Sequence, residues 1–170
     1  MLKIIAVSDN HNESGILYDI AETHDDADSR IHLGDSEFAY TDTELAYYQR
    51  VKGNCDFYPE FPVEDIARVG KSKCFFTHGH MYGVNQTRAT LARTASEAGC
   101  QFAFYGHTHI AKYEHIDGVH VINPGSISQS RSQTWPESYA DIHIDESAGH
   151  VTLHFRDRTH NILATETFEL

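Results

Sequence analysis

The chain has 170 residues, a formal net charge of -12 at pH 7 and 40% hydrophobic side chains. That size and composition suit a single folded domain over residues 1–170 with a layered core, and they exclude a disordered chain. The acidic balance argues against a protein that wraps extended nucleic acid through a basic surface, although bound cations can supply a positive field for phosphate chemistry.

No apolar run reaches the length of a membrane span, so no membrane partner is expected. The start, Met1-Leu2-Lys3-Ile4-Ile5-Ala6-Val7, runs straight into a strand pattern without the apolar core of a signal peptide. The three cysteines, Cys55, Cys74 and Cys100, show no Cys-x-x-Cys spacing, which suits reduced thiols and a cytoplasmic location. Thirteen histidines are a high share for this length, and histidine is the commonest metal ligand.

Leu2 to Val7 reads as a strand covered on both faces. It ends in Ser8-Asp9-Asn10-His11, a carboxylate and an imidazole two apart, which read equally as a solvated turn or as a ligand pair. Ser14 is expected to cap a helix through Ile16, Leu17, Ile20 and Ala21. Asp25-Asp26-Ala27-Asp28 then reads as a loop, and residues 30–33 as a second strand ending in Gly34-Asp35, with His32 inside the sheet. In open α/β sheets ligands gather beyond the carboxyl ends of strands, where Asp9 and Asp35 both fall. Residues 41–48 are a helix candidate, and residues 50–52 a short strand leading to Gly53-Asn54-Cys55-Asp56.

Residues 66–69 and 73–76 predict a hairpin whose second strand delivers Thr77-His78-Gly79-His80. His78 is the better-placed ligand; His80 is expected behind it or against substrate. A helix opening at Asn85 or Thr87 runs through Ala89, Leu91, Ala92 and Ala95 and stops at Gly99. The apolar run 101–105 then ends in Gly106-His107-Thr108-His109. Residues 111–117, 119–122, 138–144, 150–155 and 162–168 all look strand-like, and this back half is expected to form one antiparallel layer completing a sandwich. Asn123-Pro124-Gly125-Ser126 ends one of these strands within reach of the site, and a Ser/Gln-rich loop carries Arg131. The remaining histidines, among them His24, His115, His120, His143, His150, His154 and His160, read as ordinary surface residues.

Five strand ends thus present Asp9 and His11, Asp35, Asn54, His78, then His107 and His109. Random turns rarely gather so many oxygen and nitrogen donors. The set suits two divalent ions sharing a bridging carboxylate, with Asp35 the natural bridge. Two ions roughly 3.5–4 Å apart can clamp a phosphoryl group and activate water near neutral pH. Mixed carboxylate, amide and imidazole donors favour Mn²⁺, with Fe²⁺, Zn²⁺ or Ni²⁺ as alternatives, over an all-oxygen Mg²⁺ site.

The ordered pattern Asp-x-His, Gly-Asp, Gly-Asn, His and Gly-His-x-His resembles the calcineurin-like metallophosphoesterases. The likeness spans Met1 to about Arg131. The Gly53-Asn54-Cys55-Asp56, Thr77-His78-Gly79-His80 and Asn123-Pro124-Gly125-Ser126 versions are similar to the small bacterial and archaeal phosphodiesterase branch, which also includes the retromer subunit Vps29. The resemblance implies an α/β fold, a four-layer α/β/β/α sandwich of two mixed sheets flanked by helices. It implies one ion on Asp9, His11, Asp35 and His109, and another on Asp35, Asn54, His78 and His107. It further implies a metal-dependent phosphodiesterase acting on small phosphate esters by attack of a metal-bridging hydroxide. Relatives form dimers and tetramers, so a homo-oligomer is a further expectation. The alternative is a non-catalytic, Vps29-like protein-interaction scaffold.

One departure bears on catalysis. Many relatives carry a histidine after the Gly-Asn that assists the leaving group; here it is Cys55. A thiol of ordinary pKa, near 8.5, is a poorer general acid, so esters with good leaving groups should be favoured. The plainer reading of Cys55 is a small packed residue. Asp56 either orients Asn54 or Cys55 or closes the turn. Asn12 stands where many relatives have glycine, and nothing in the sequence explains it.

Overall fold

A computed structural model describes all of residues 1–170. Eleven strands form two mixed sheets. In chain order the strands are β1 (Leu2–Val7), β2 (Ser29–His32), β3 (Gln49–Arg50), β4 (Glu64–Val69), β5 (Ser72–Thr77) and β6 (Phe102–Phe104). They continue as β7 (Lys112–Ile116), β8 (Val119–Asn123), β9 (Ser138–Asp145), β10 (His150–Asp157) and β11 (Ile162–Glu169). The helices are α1 (Ile16–Thr23) and α2 (Ala89–Glu97). No helix is long and apolar enough to cross a membrane.

The first sheet has the order β11-β10-β9-β1-β2-β3 and the second β4-β5-β6-β8-β7. Strand alternation explains how they stack. In β1, Ile4 and Ala6 face the second sheet, where they meet Phe76, Phe102, Phe104 and Ile122 in the largest apolar cluster. Ile5 and Val7 point the other way and pack under Leu17 and Ile20 of α1. Phe75, Ala103 and Val121 on the outer face of the second sheet pack under Leu91, Ala92 and Ala95 of α2. Three interlayer clusters define the four-layer α/β/β/α sandwich that the resemblance implies, and they explain why β1 reads as continuously apolar.

The parallel pairings β1–β2, β2–β3, β5–β6 and β6–β8 matter most for function. Strands running the same way end on the same rim of their sheet. The loops after β1, β2, β3, β5 and β6 carry the donor residues, so the topology concentrates them.

Several local expectations need correction. Ser14 does not cap α1; Gly15 occupies that position and its N–H is taken by Glu44 Oε1 at 2.7 Å. Residues 41–48 form only a 3₁₀ turn at Thr43–Leu45, capped by Asp42. Leu45 and Tyr48 are buried as their spacing implies, but a three-residue spacing serves one 3₁₀ turn as well as a helix, and the chain passes directly into β3. The short strand lies at Gln49–Arg50 rather than 50–52. Arg88, not Asn85 or Thr87, occupies the position before α2, although Thr87 Oγ1 accepts from Ala89 N at 3.2 Å, and Gly99 ends the helix with φ +76.

The back half is not one antiparallel layer. β7 and β8 extend the second sheet, with β8 parallel to β6, whereas β9, β10 and β11 extend the first sheet from β1. Two of the supposed surface histidines are also buried. His24 is 4% exposed, with Nε2 2.7 Å from Tyr139 Oη, and His120 is 3% exposed, with Nδ1 2.9 Å from Tyr113 Oη. Burial pushes both imidazoles down from 6.5 to about 4. Below 6.5 the unfolded chain binds protons that the folded chain refuses, so stability is complete above that pH and drains away toward pH 4. The urea midpoint is expected to fall across that window, and to fall less steeply in a His24→Gln, His120→Gln variant.

Candidate metal centre

Backbone conformation concentrates at this rim. Seven of the nine non-glycine residues with positive φ lie in its loops: Asp9, His11, Asn12, Asp35, Glu37, His107 and His109. Each such conformation costs roughly 1–3 kcal/mol, with Asp, Asn and His the most tolerant residues. The surrounding loops hold them in place. Asp9 N donates to Gly34 O and His11 N to Asp35 O, while His107 N donates to Asp9 Oδ2 at 3.2 Å. Two glycines permit the close approach. A Cβ on Gly53 would meet Asp35 Cγ at 2.7 Å, and one on Gly106 would meet Asp9 Oδ2 at 2.7 Å.

The ring nitrogens reveal how the site is poised. His78 Nδ1 donates to Leu33 O at 2.7 Å and His109 Nδ1 to Gln129 O at 2.7 Å. His11 Nδ1 lies 2.9 Å from Glu37 Oε2. These partners only accept, so each Nδ1 carries the proton and a neutral ring turns the bare Nε2 inward. Inside, acceptor meets acceptor. His11 Nε2 lies 3.2 Å from His109 Nε2, and His109 Nε2 lies 3.2 Å from Asp9 Oδ1. His78 Nε2 lies 3.2 Å from Asp35 Oδ2 and 3.0 Å from Asn54 Oδ1, which is also 3.1 Å from His107 Nδ1. Asp9 Oδ1 is buried with no hydrogen-bond partner.

Such an inward ring of lone pairs is one that a positive centre would satisfy. Ligand bonds of about 2.1 Å place neighbouring donor atoms about 3 Å apart, the spacing seen here, so the residues fit divalent cations. Protein groups alone resolve the conflict only by protonating rings. The Asp9 carboxylate beside it pushes His11 up to about 9. Burial is the largest influence on His78 and opposes its charge, but Asp35 and Asp9 together outweigh it and raise the ring. Burial likewise works against the Asp9 anion, yet His109 and His11 hold its carboxyl well below the usual range. Two overlapping sets, Asp9 with His11 and His109, and Asp9 with Asp35 and His78, each bring their donor atoms within 4.8 Å of one another.

All the residues named from sequence for this centre converge here, including the exposed Asn54. Asp56 closes the turn and does more: its carboxylate accepts from Gly53 N, Asp35 N and Glu37 N, tying two loops together. Cys55 is half-buried, and its N–H donates to Asp35 Oδ1 at 2.8 Å. The His80 ring lies 5.4 Å from that of His78 and 6.2 Å from that of His107, with its Nδ1 unpartnered. Ser126 braces the site from outside, donating from Oγ to Asp9 O at 2.8 Å, while Arg131 is exposed and contributes its backbone N–H to His109 O. Sequence reasoning missed Glu37 as the partner of His11, and Ser8, whose hydroxyl donates to Asp9 Oδ2. Neither carries a spacing signal, because backbone turns rather than periodicity bring them in.

Comparison with known proteins gives a consistent answer. Residues 2–147 match the calcineurin-like phosphoesterase superfamily domain. The chain is 37% identical over 161 residues to the probable metallophosphoesterase YsnB of Bacillus subtilis, covering 94% of each chain. It is also similar to a Streptococcus pneumoniae structure described as a predicted phosphoesterase, at 30% identity and TM-score 0.93, covering 99% of this chain and 98% of that one. Vps29 from Cryptosporidium parvum shares the fold at TM-score 0.79 and 19% identity, covering 99% and 98%. With its fold, its cation-seeking cluster and these relatives in agreement, the chain belongs to the calcineurin-like phosphoesterase superfamily.

Proposed function

We propose that this protein is a phosphodiesterase that holds two divalent ions and hydrolyses small phosphate esters. The observation that carries the reading is the cluster of inward-facing imidazole nitrogens and carboxylate oxygens around the orphaned Asp9 Oδ1. Asp9, His11, Asp35 and His109 would hold one ion, and Asp35, Asn54, His78 and His107 the other. The oxygen and nitrogen donors favour Mn²⁺, with Fe²⁺, Zn²⁺, Ni²⁺ and Mg²⁺ as alternatives. Bound there, such ions supply Lewis-acid activation of water and neutralise charge on the phosphoryl oxygens.

The chain's own groups orient this chemistry. Leu33 O, Gln129 O and Glu37 fix three imidazoles in the ligating tautomer, and Asp56 ties the Gly53 and Asp35 backbones together. His80, whose ring lies 5.4 Å from that of His78 and 6.2 Å from that of His107, would contact the ester. No imidazole follows Asn54, so departure of the alcohol depends on its own acidity. Removing the partner of His11 tests the orienting role: Glu37→Ala is expected to weaken metal binding by about 10–100-fold, as losses of outer hydrogen-bond partners do. Calorimetric titration of the metal-stripped protein measures it.

The direct test compares bis-p-nitrophenyl phosphate with p-nitrophenyl phosphate after stripping and reloading with Mn²⁺. Metal-dependent turnover that is faster on the diester is expected. Bound metal without turnover of either ester would favour a protein-interaction scaffold instead.

A further inference from the structure

We propose that the Cys55 thiol is itself a donor of the metal centre, and that it biases the centre toward thiophilic ions. The inference rests on the reading of this cluster as a metal site and adds a ligand to it. Cys55 Sγ, a His11 ring nitrogen and an Asp35 carboxylate oxygen all lie within 4.8 Å of one another. The sulfur therefore shares two partners with the Asp9 sets. Independently, the fully buried Asp9 Oδ1 points unpartnered into the same cluster, 3.5 Å from His11 Nε2.

The Cys55 backbone is anchored beside Asp35. Cys55 N–H donates to Asp35 Oδ1 at 2.8 Å, which pins the residue beside the bridging carboxylate, and Asn54 Nδ2 approaches Sγ at 3.6 Å. The carboxylates of Asp35, Glu37 and Asp56 lie around the sulfur, and the His11 ring approaches it within 4.8 Å. On binding, the thiol proton passes to solvent as the sulfur lone pair forms the bond to the ion, with no change of oxidation state. A thiolate donor shifts preference from Mn²⁺ toward Zn²⁺ and Co²⁺. It also leaves Cys55 without a proton to give a leaving group.

Cobalt titration of the metal-stripped full chain tests this without an activity assay. Visible ligand-field bands report Co²⁺ binding, and a near-ultraviolet sulfur-to-cobalt charge-transfer band reports thiolate ligation. Cys74 and Cys100 are 0% and 4% exposed, away from the rim, so Cys55 is the available sulfur. Both signals are expected in the wild type. Cys55→Ser should keep the visible bands, lose the ultraviolet band, and lower the Zn²⁺:Mn²⁺ affinity ratio by at least about tenfold. Visible bands without the ultraviolet band in the wild type, or an unchanged ultraviolet band in Cys55→Ser, would overturn the ligand assignment while sparing the metal centre. Absence of every cobalt band would overturn both.

Discussion

Asp35→Asn is expected to abolish metal-dependent hydrolysis, lowering kcat/KM by about 10²–10³-fold or more, while the fold survives. The substitution is nearly isosteric, and an asparagine oxygen can still accept from Cys55 N, as Asp35 Oδ1 does at 2.8 Å. The amide nitrogen would then face His78 Nε2, which now sits 3.2 Å from Asp35 Oδ2. That swap exchanges the attraction between the Asp35 carboxylate and the raised His78 ring for a neutral hydrogen bond. The metal-free variant should therefore unfold at a somewhat lower urea concentration than the wild type, because the Asp35 carboxylate, opposed by burial but held below its usual range by His78, no longer contributes, with metal affinity and diester turnover lost together. Unchanged turnover under saturating Mn²⁺ would remove Asp35 from the mechanism.

Gly53→Ala is expected to damage both stability and activity. The added Cβ would lie 2.7 Å from Asp35 Cγ, and the loops cannot yield easily, because Gly34 is pressed against the Gly53 backbone: a Cβ there would meet Gly53 N at 2.8 Å. Overpacking of this kind costs about 1–3 kcal/mol and more where backbone is trapped. Displacing Asp35 also misplaces the donor shared by both proposed ions. Gly149→Ala provides the contrast. Its φ is +64 but nothing lies within 4 Å of the added methyl, so roughly 1–2 kcal/mol of backbone strain is expected with turnover intact. Urea unfolding and diester assays on both variants separate steric damage at the rim from turn strain elsewhere.

The site was legible in the sequence because its signal is chemical and ordered. Each of Asp9, Asp35, Asn54, His78 and His107 follows a strand-like run, and parallel strands place such ends on one rim without any further information. The geometry that makes the residues converge was not legible. Positive φ at Asp9, Asp35, His107 and His109 re-aims the side chains, and no periodicity encodes a single left-handed residue. Glu37 was invisible for the same reason. In the back half, alternation identified β7 to β11 as strands but could not choose their neighbours. Pairing of β8 with β6 and of β9 with β1 joins residues far apart in the chain, and is decided by which apolar faces fill the space between the sheets. His24 and His120 looked like surface residues because burial of a single imidazole depends on tertiary partners, here Tyr139 and Tyr113.

The most direct measurement is the number of metal ions bound per chain, taken on the same sample as its turnover of bis-p-nitrophenyl phosphate. Protein stripped with chelator would be dialysed against increasing Mn²⁺ or Zn²⁺, with bound metal counted by elemental analysis. The account predicts two ions per chain and turnover that is absent from stripped protein and rises with occupancy. Full turnover by the stripped protein, or a folded chain that binds no divalent metal at all, would contradict it.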